Sequence, residues 1–148
     1  MDEYDPRTNC WTARLEMPLH RDAYRVASVG EKIYVLGNLN GSTETLEFDP
    51  ASNSWKIKAA MPTPRFDFGI VAFRGLIYTF GGMGKDTLEA YDPERDLWIR
   101  KRPMARDNWE QVAAESLGKI LVVGGGFQPG YILDTVFQYD PLLDPPAH

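Results

Sequence analysis

Hydrophobic positions along this chain fall in short runs separated by turn residues, and no window carries a capped helical stripe. Three runs stand out: Ile33-Tyr34-Val35-Leu36, Ile77-Tyr78-Thr79-Phe80 and Ile120-Leu121-Val122-Val123, each closed by a glycine. Short apolar runs bounded by turn chemistry predict β-strands, here over 33–37, 77–82 and 120–125. Val26–Val29, Gly69–Phe73 and Val112–Ser116 predict a strand before each run. Thr45–Phe48 and Thr87–Tyr91 predict one after it. The Asp-Pro that follows is turn chemistry, and Trp55–Ala59 and Trp98–Lys101 open a fourth strand.

The strands recur with a fixed period. Trp11, Trp55 and Trp98 are 44 and 43 residues apart, and each lies seven residues after an aromatic that begins an Asp-Pro turn: Tyr4, Phe48 and Tyr91. Six residues after each Trp stands a methionine (Met17, Met61, Met104), and 26 residues after it a glycine (Gly37, Gly81, Gly124). A fourth Tyr139-Asp140-Pro141 follows without its Trp. From that glycine to the next aromatic the spacing varies, at 11, 10 and 15 residues. Constant spacing marks a packed framework, and variable spacing marks an exposed loop. Four short strands in a unit of 43 to 44 residues predict an all-β protein of four-stranded antiparallel propeller blades.

These residues resemble the kelch repeat. The resemblance rests on the glycine pairs Gly81-Gly82 and Gly124-Gly125, the aromatic before Asp-Pro, the spaced Trp, and Met-Pro followed by Arg at Met61-Pro62-Thr63-Pro64-Arg65 and Met17-Pro18-Leu19-His20-Arg21. Gly37-Asn38 breaks one pair, and Ala105 and Asn108 depart in the last unit. The resemblance implies kelch-type β-propeller blades, with Trp11, Trp55 and Trp98 packed between blades as framework residues. It also implies a protein-protein interaction module. Kelch modules often act as substrate receptors of ubiquitin ligases.

The expected organisation is a half-propeller of about three blades. Residues 1–18 supply the outermost strand of an incomplete blade, 19–61 are repeat 1, 62–104 repeat 2, and 105–148 repeat 3 without its own outermost strand. Three blades are fewer than the four to eight of a closed ring. Two chains exchanging their N-terminal strands would make a six-bladed homodimer with two-fold symmetry. The rival is a structural part of a larger propeller.

Composition narrows the function. A net charge of −5 argues against nucleic acid and anionic membranes as partners. The acidic N-terminus has no apolar run of a signal peptide, and the longest apolar stretch, Ile120–Val123, is far below a bilayer span. Cys10 is the one cysteine and has no internal partner, which points to a reducing, cytoplasmic setting. It lies beside Trp11 and reads as a small core residue. His20 and His148 are the only histidines, too few for a transition-metal site. No nucleophile triad pattern and no phosphate loop occur, and no cofactor is expected.

The candidate binding face is made of the loops before each innermost strand and after each glycine pair. Equal offsets from the methionines place Arg21-Asp22-Ala23-Tyr24, Arg65-Phe66-Asp67-Phe68 and Asn108-Trp109-Glu110-Gln111 in register. The second set is 38–43, 83–86 and 127–131, including Phe127. Aromatics supply contact area and carboxylates orient a cation, so the expected partner is a protein or peptide with a basic group. Arg21 and Arg65 fit either a ligand contact or a structural anchor of the loop. The enzymatic alternative, by resemblance, is a sugar-modifying kelch enzyme such as a sialic acid epimerase or mutarotase, with Arg21, Arg65 and Glu110 in a central pocket.

Overall fold

The computed structural model describes residues 1–128 and 130–144, and of Phe127 and Gln128 the backbone alone. The chain is all-β. An N-terminal hairpin pairs β1 (Asp2–Asp5) with β2 (Cys10–Ala13). Blade 1 is the meander β3 (Arg25–Val29), β4 (Lys32–Leu36), β5 (Thr45–Asp49) and β6 (Ser54–Lys58). Blade 2 repeats it with β7 (Gly69–Phe73), β8 (Leu76–Phe80), β9 (Leu88–Asp92) and β10 (Leu97–Lys101). Blade 3 has β11 (Val112–Ser116) and β12 (Lys119–Val123). A small hairpin, β13 (Gly126–Gln128) with β14 (Tyr131–Ile132), follows, and then β15 (Val136–Tyr139), the third strand of the blade.

The first 18 residues thus hold two strands, where the sequence pattern predicts the outer one only. The short polar segment Asp2–Asp5 carries no hydrophobic alternation, so β1 is specified by its pairing and not by its own pattern. The long third variable segment is not a plain loop either, since its extra residues fold into the β13–β14 hairpin.

Each aromatic-Asp-Pro turn is fixed by its aspartate. Asp5, Asp49, Asp92 and Asp140 each accept a bond from the backbone N–H two residues on, at 2.9, 2.9, 3.0 and 3.0 Å. This local bond closes the turn without tertiary help. It delivers the aromatic of the third strand opposite the Trp of the fourth: Tyr4 to Trp11, Phe48 to Trp55 and Tyr91 to Trp98, with ring centroids 5.0, 4.9 and 5.2 Å apart.

The core lies between blades. Blade 1 meets blade 2 through Tyr34, Leu36, Phe68, Ile77 and Tyr91. Blade 2 meets blade 3 through Phe73, Tyr78, Phe80, Ile120 and Val122. On the outer rim the joints are polar and repeat. Trp55 donates its indole N–H to Leu15 O at 3.1 Å, and Trp98 donates to Ala59 O at 3.0 Å. Asn53 and Asp96 accept the N–H of those same residues, Leu15 and Ala59, at 3.0 and 2.8 Å. Trp55 and Trp98 are framework residues as the resemblance implies. Trp11 is not packed between blades. It is 70% exposed, and its neighbour Cys10 is exposed rather than a core residue, because no blade covers the outer side of the N-terminal hairpin among the described residues.

The strands predicted to run into their glycines stop just before the first glycine, one residue short of the expected end in blade 1 and two short in blades 2 and 3. Gly37, Gly81 and Gly124 have φ of +79°, +62° and +67°, a left-handed bend that leaves the extended ladder. At Gly81 the bend also makes room: a Cβ there would meet Asn108 O of blade 3 at 2.2 Å. Gly118, in the β11–β12 turn, has φ of +76° but nothing within 4 Å of a Cβ. Gly118→Ala should cost about 1 kcal/mol of backbone strain, and Gly81→Ala about 3 kcal/mol or more, because strain and clash add. Urea unfolding followed by tryptophan fluorescence measures both. Equal losses at the two sites would contradict the close approach between blades as the reason for Gly81.

Candidate functional site

The loop face is built on a strut that occurs three times. A glycine bent into the left-handed region carries its carbonyl away from the strand ladder, and that buried acceptor needs a donor. The first residue of each leading loop supplies it. Arg21 donates to Gly37 O at 2.9 Å, Arg65 to Gly81 O at 2.7 Å and Asn108 to Gly124 O at 3.0 Å. The arginines reach further: Arg21 also donates to Glu44 O at 2.8 Å, and Arg65 to Thr87 O at 3.1 Å. Each arginine strut thereby ties both ends of the variable loop to the leading loop.

Burial corrects part of the expected partner surface. Arg21, Arg65, Phe68 and Asn108 are 8%, 2%, 0% and 1% exposed. They cannot meet a partner on this face, since the three polar ones hold glycine carbonyls and Phe68 fills the joint between blades 1 and 2. Gln111, at the repeat position of Phe68, is likewise buried and donates to Phe80 O.

Blade 2 adds a second lock. Glu89 stands within β9, and its carboxylate meets Arg65 at 2.7 Å with side-chain exposures of 1% and 0%. Thr63 donates to the other carboxylate oxygen at 2.7 Å. Burial pushes the Arg65 guanidinium down from its ordinary pKa, and the Glu89 charge opposes that shift. The signal was legible in principle: a glutamate between apolar neighbours in a strand demands a buried cation.

The second and third positions of the leading loops do reach the surface. Asp22 and Glu110 are exposed, and Phe66, Asp67 and Trp109 are half-buried. Tyr24 is 43% exposed. The third positions, Ala23, Asp67 and Glu110, all adopt left-handed φ, at 52°, 50° and 55°. Backbone bonds stitch the second positions to the variable loops: Leu39 N–H to Asp22 O at 3.0 Å, Met83 N–H to Phe66 O at 3.4 Å, and a mutual pair at 2.9 Å between Trp109 and Gly126. Between blades, Gly82 N–H donates to Asn108 O at 2.8 Å and Glu110 N–H to Asp67 O at 2.6 Å. Blades 2 and 3 therefore present Phe66, Asp67, Trp109 and Glu110 as one continuous edge.

The electrostatics differ from expectation at one point. Asp67 already faces a cation of its own chain, Arg25, at 3.7 Å. Arg25 also donates to Phe68 O at 3.1 Å, and its head stands 6.0 Å from the Phe68 ring centroid. Among the described residues, Asp22, Asp86 and Glu110 are carboxylates of the face loops outside any ion pair. Residue patterning missed Arg25, because it lies inside β3 and not in a loop. Leu39 and Met83, which the second loop set contains without singling them out, are 55% and 48% exposed and sit at one repeat position beside Asp22 and Phe66. The side chain of Phe127 lies outside the described residues, as does His148.

Removal of the cation tests the strut in blade 2. Arg65→Met leaves the buried Glu89 without its close cation, with the Thr63 hydroxyl and the outlying Arg100 at 3.9 Å as what remains, and should cost about 3–5 kcal/mol. The double variant Arg65→Met with Glu89→Leu should recover a large part of that loss. Urea midpoints of the three proteins report it, and a single variant within about 0.5 kcal/mol of wild type, the range of an ordinary surface change, would remove the buried pair from the account.

Comparison with known proteins agrees with this geometry. Residues 64–105 match the kelch motif family model. The chain is 28% identical over 138 residues to kelch-like protein 36 of Bos taurus, covering 93% of this chain and 17% of that protein. It is 42% identical over 41 residues to human (Homo sapiens) kelch-like protein 5, covering 28% of this chain and 5% of that protein. The chain therefore spans a small part of the length of these relatives. The solved structure of YjhT superposes with a TM-score of 0.78 at 18% identity, over 94% of this chain and 55% of that one. With its repeated strands, its bent glycines and the motif matched at 64–105, the chain carries kelch repeats and has the all-β fold of about half a propeller.

Proposed function

We propose that this chain is a protein-interaction module that binds a partner protein or peptide on the loop face of blades 2 and 3. The observation that carries the reading is the division of labour within each leading loop. The first position is buried and tied to the framework, while the next two are surface-facing and differ in every repeat: Asp22-Ala23, Phe66-Asp67 and Trp109-Glu110. A rigid base under variable aromatic and acidic side chains is the arrangement of an interface anchor. Trp109 supplies the flat contact surface, and Glu110 attracts a lysine or arginine of the partner. Asp67 contributes less, because Arg25 already neutralises it.

A sugar-modifying activity is the weaker reading on the same geometry. Of its three candidates, Arg21 and Arg65 are committed to glycine carbonyls, which leaves Glu110 alone at the surface. The unpaired Cys10 accords with a cytoplasmic setting, and two chains joining into a six-bladed ring would extend the face.

The test is a displayed library of random peptides selected on the immobilised protein. Lysine- and arginine-containing peptides with enrichment over acidic ones are expected. Trp109→Ala and Glu110→Lys should each weaken the selected peptides by about tenfold or more, the scale of a hot-spot truncation. Asp67→Asn should change binding less. Peptides that bind equally to wild type, Trp109→Ala and Glu110→Lys would show that the face lies elsewhere.

A further inference from the structure

A cleft of about 370 Å³ opens on the outer rim where blade 2 meets blade 3, walled by Arg102, Pro103, Met104, Tyr139, Leu143 and Asp144 among others. The same place between blades 1 and 2 is filled by Trp98. There the indole stands beside Tyr91, its N–H reaches Ala59 O, and Asp96 accepts from both Ala59 N–H and the Tyr91 hydroxyl, the latter at 2.7 Å. Trp55, Phe48, Leu15 and Asn53 make the corresponding joint between the N-terminal hairpin and blade 1.

At the cleft the receiving half of this joint is already assembled. Tyr139 donates its hydroxyl to Asp144 at 2.6 Å, and Arg102 N–H donates to Asp144 at 3.3 Å. Arg102 holds the repeat position of Leu15 and Ala59, so its carbonyl is the counterpart of their indole acceptors. What the cleft lacks among the described residues is the indole. Among the described residues β15 is an edge strand, pairing with β12 on one side only. The complementary half is on the same molecule. Trp11 holds the repeat position of Trp55 and Trp98, is 70% exposed, and lies on β2, whose residues are all exposed.

We propose that the cleft receives β2 of a second copy of this chain, with Trp11 seated as Trp98 is seated between blades 1 and 2. This deepens the pairing of two chains proposed above and rests on it. The register follows from the repeat. In the hairpin, Tyr4 faces Trp11 and Asp5 faces Cys10. Tyr139-Asp140 stand at the positions of Tyr4-Asp5, so Tyr139 faces the second copy's Trp11, and Asp140 its Cys10. Moving β2 from β1 to β15 exchanges one four-residue antiparallel ladder for another, so backbone bonding is conserved while an exposed indole becomes buried. β1 yields readily, since Asp2, Glu3 and Tyr4 are themselves exposed.

Light scattering and mild oxidation test this on the 148-residue protein. The expected results are a species of twice 16.8 kDa, a shift to monomer in Trp11→Ala, and a blue-shifted Trp11 emission in the wild type that Leu143→Glu reverses. Asp140→Cys should form a disulfide-linked dimer through Cys10, because facing residues of an antiparallel pair lie within disulfide reach. Asp5→Cys reports the unexchanged hairpin, in which Cys10 closes a bond within one chain. A wild type that stays monomeric overturns both the pairing and the cleft. A dimer that survives Trp11→Ala, with no linkage in Asp140→Cys and an internal disulfide in Asp5→Cys, keeps the pairing and overturns the cleft.

Discussion

The structure depends on one backbone event, the left-handed bend of a glycine at the end of each second strand. The bend has two consequences that only glycine reconciles. It lets the neighbouring blade come close enough to exclude a Cβ at Gly37 and Gly81, whereas at Gly124 the nearest atom to a Cβ, Leu133 O, stands at 3.6 Å. It also turns a buried carbonyl out of the ladder, which must then find a donor. The chain answers with Arg21, Arg65 and Asn108, all sixteen residues upstream of the glycine they serve. The constant distance from the aromatic turn to the glycine follows directly, since an insertion in that span would break strut and joint together.

The strut separates framework from surface within a single four-residue loop. Its first residue is locked, its fourth is buried in blades 2 and 3, and its middle two are open to change. Arginine and asparagine both serve at the first position because the requirement is one donor in reach of one carbonyl. Arginine reaches the far side of the variable loop as well, and in blade 2 it brings a buried glutamate with it. Asparagine is shorter and bonds only the glycine carbonyl among the described residues, leaving Asn108 Oδ1 buried without a donor. The third variable segment compensates differently: its β13–β14 hairpin bonds back to the leading loop through Trp109 and Gly126.

The repeat was legible in the sequence because its signals are local and periodic. Trp at a period of 43 to 44, the Asp-Pro turn and the glycine locate every strand of blades 1 and 2 to within a residue or two. Features that depend on long-range pairing were not legible. β1 has no pattern of its own, and the β13–β14 hairpin is an insertion without a second copy for comparison. The site was legible in position but not in role. Arg21, Arg65, Phe68 and Asn108 look like surface residues because they follow turns, yet their partners are carbonyls and rings that only the folded repeat brings near. Asp67 looks like a free carboxylate for the same reason, since Arg25 lies 42 positions upstream in another blade.

Two kinds of joint therefore hold neighbouring blades together, and they differ in what they permit. The inner joint is made by main chain against main chain, with glycine as its condition, and it tolerates no side chain and little displacement. The outer joint is made by side chains: an indole, an aromatic and an Asn or Asp that captures one backbone N–H. Each of its parts is contributed by a separate short segment, so it can be completed by a strand from elsewhere without disturbing the inner one. Stability in such arrays is approximately a sum over neighbouring contacts, and an outer joint with an exposed indole on one segment and a formed receptor on another is the place where that sum can still grow.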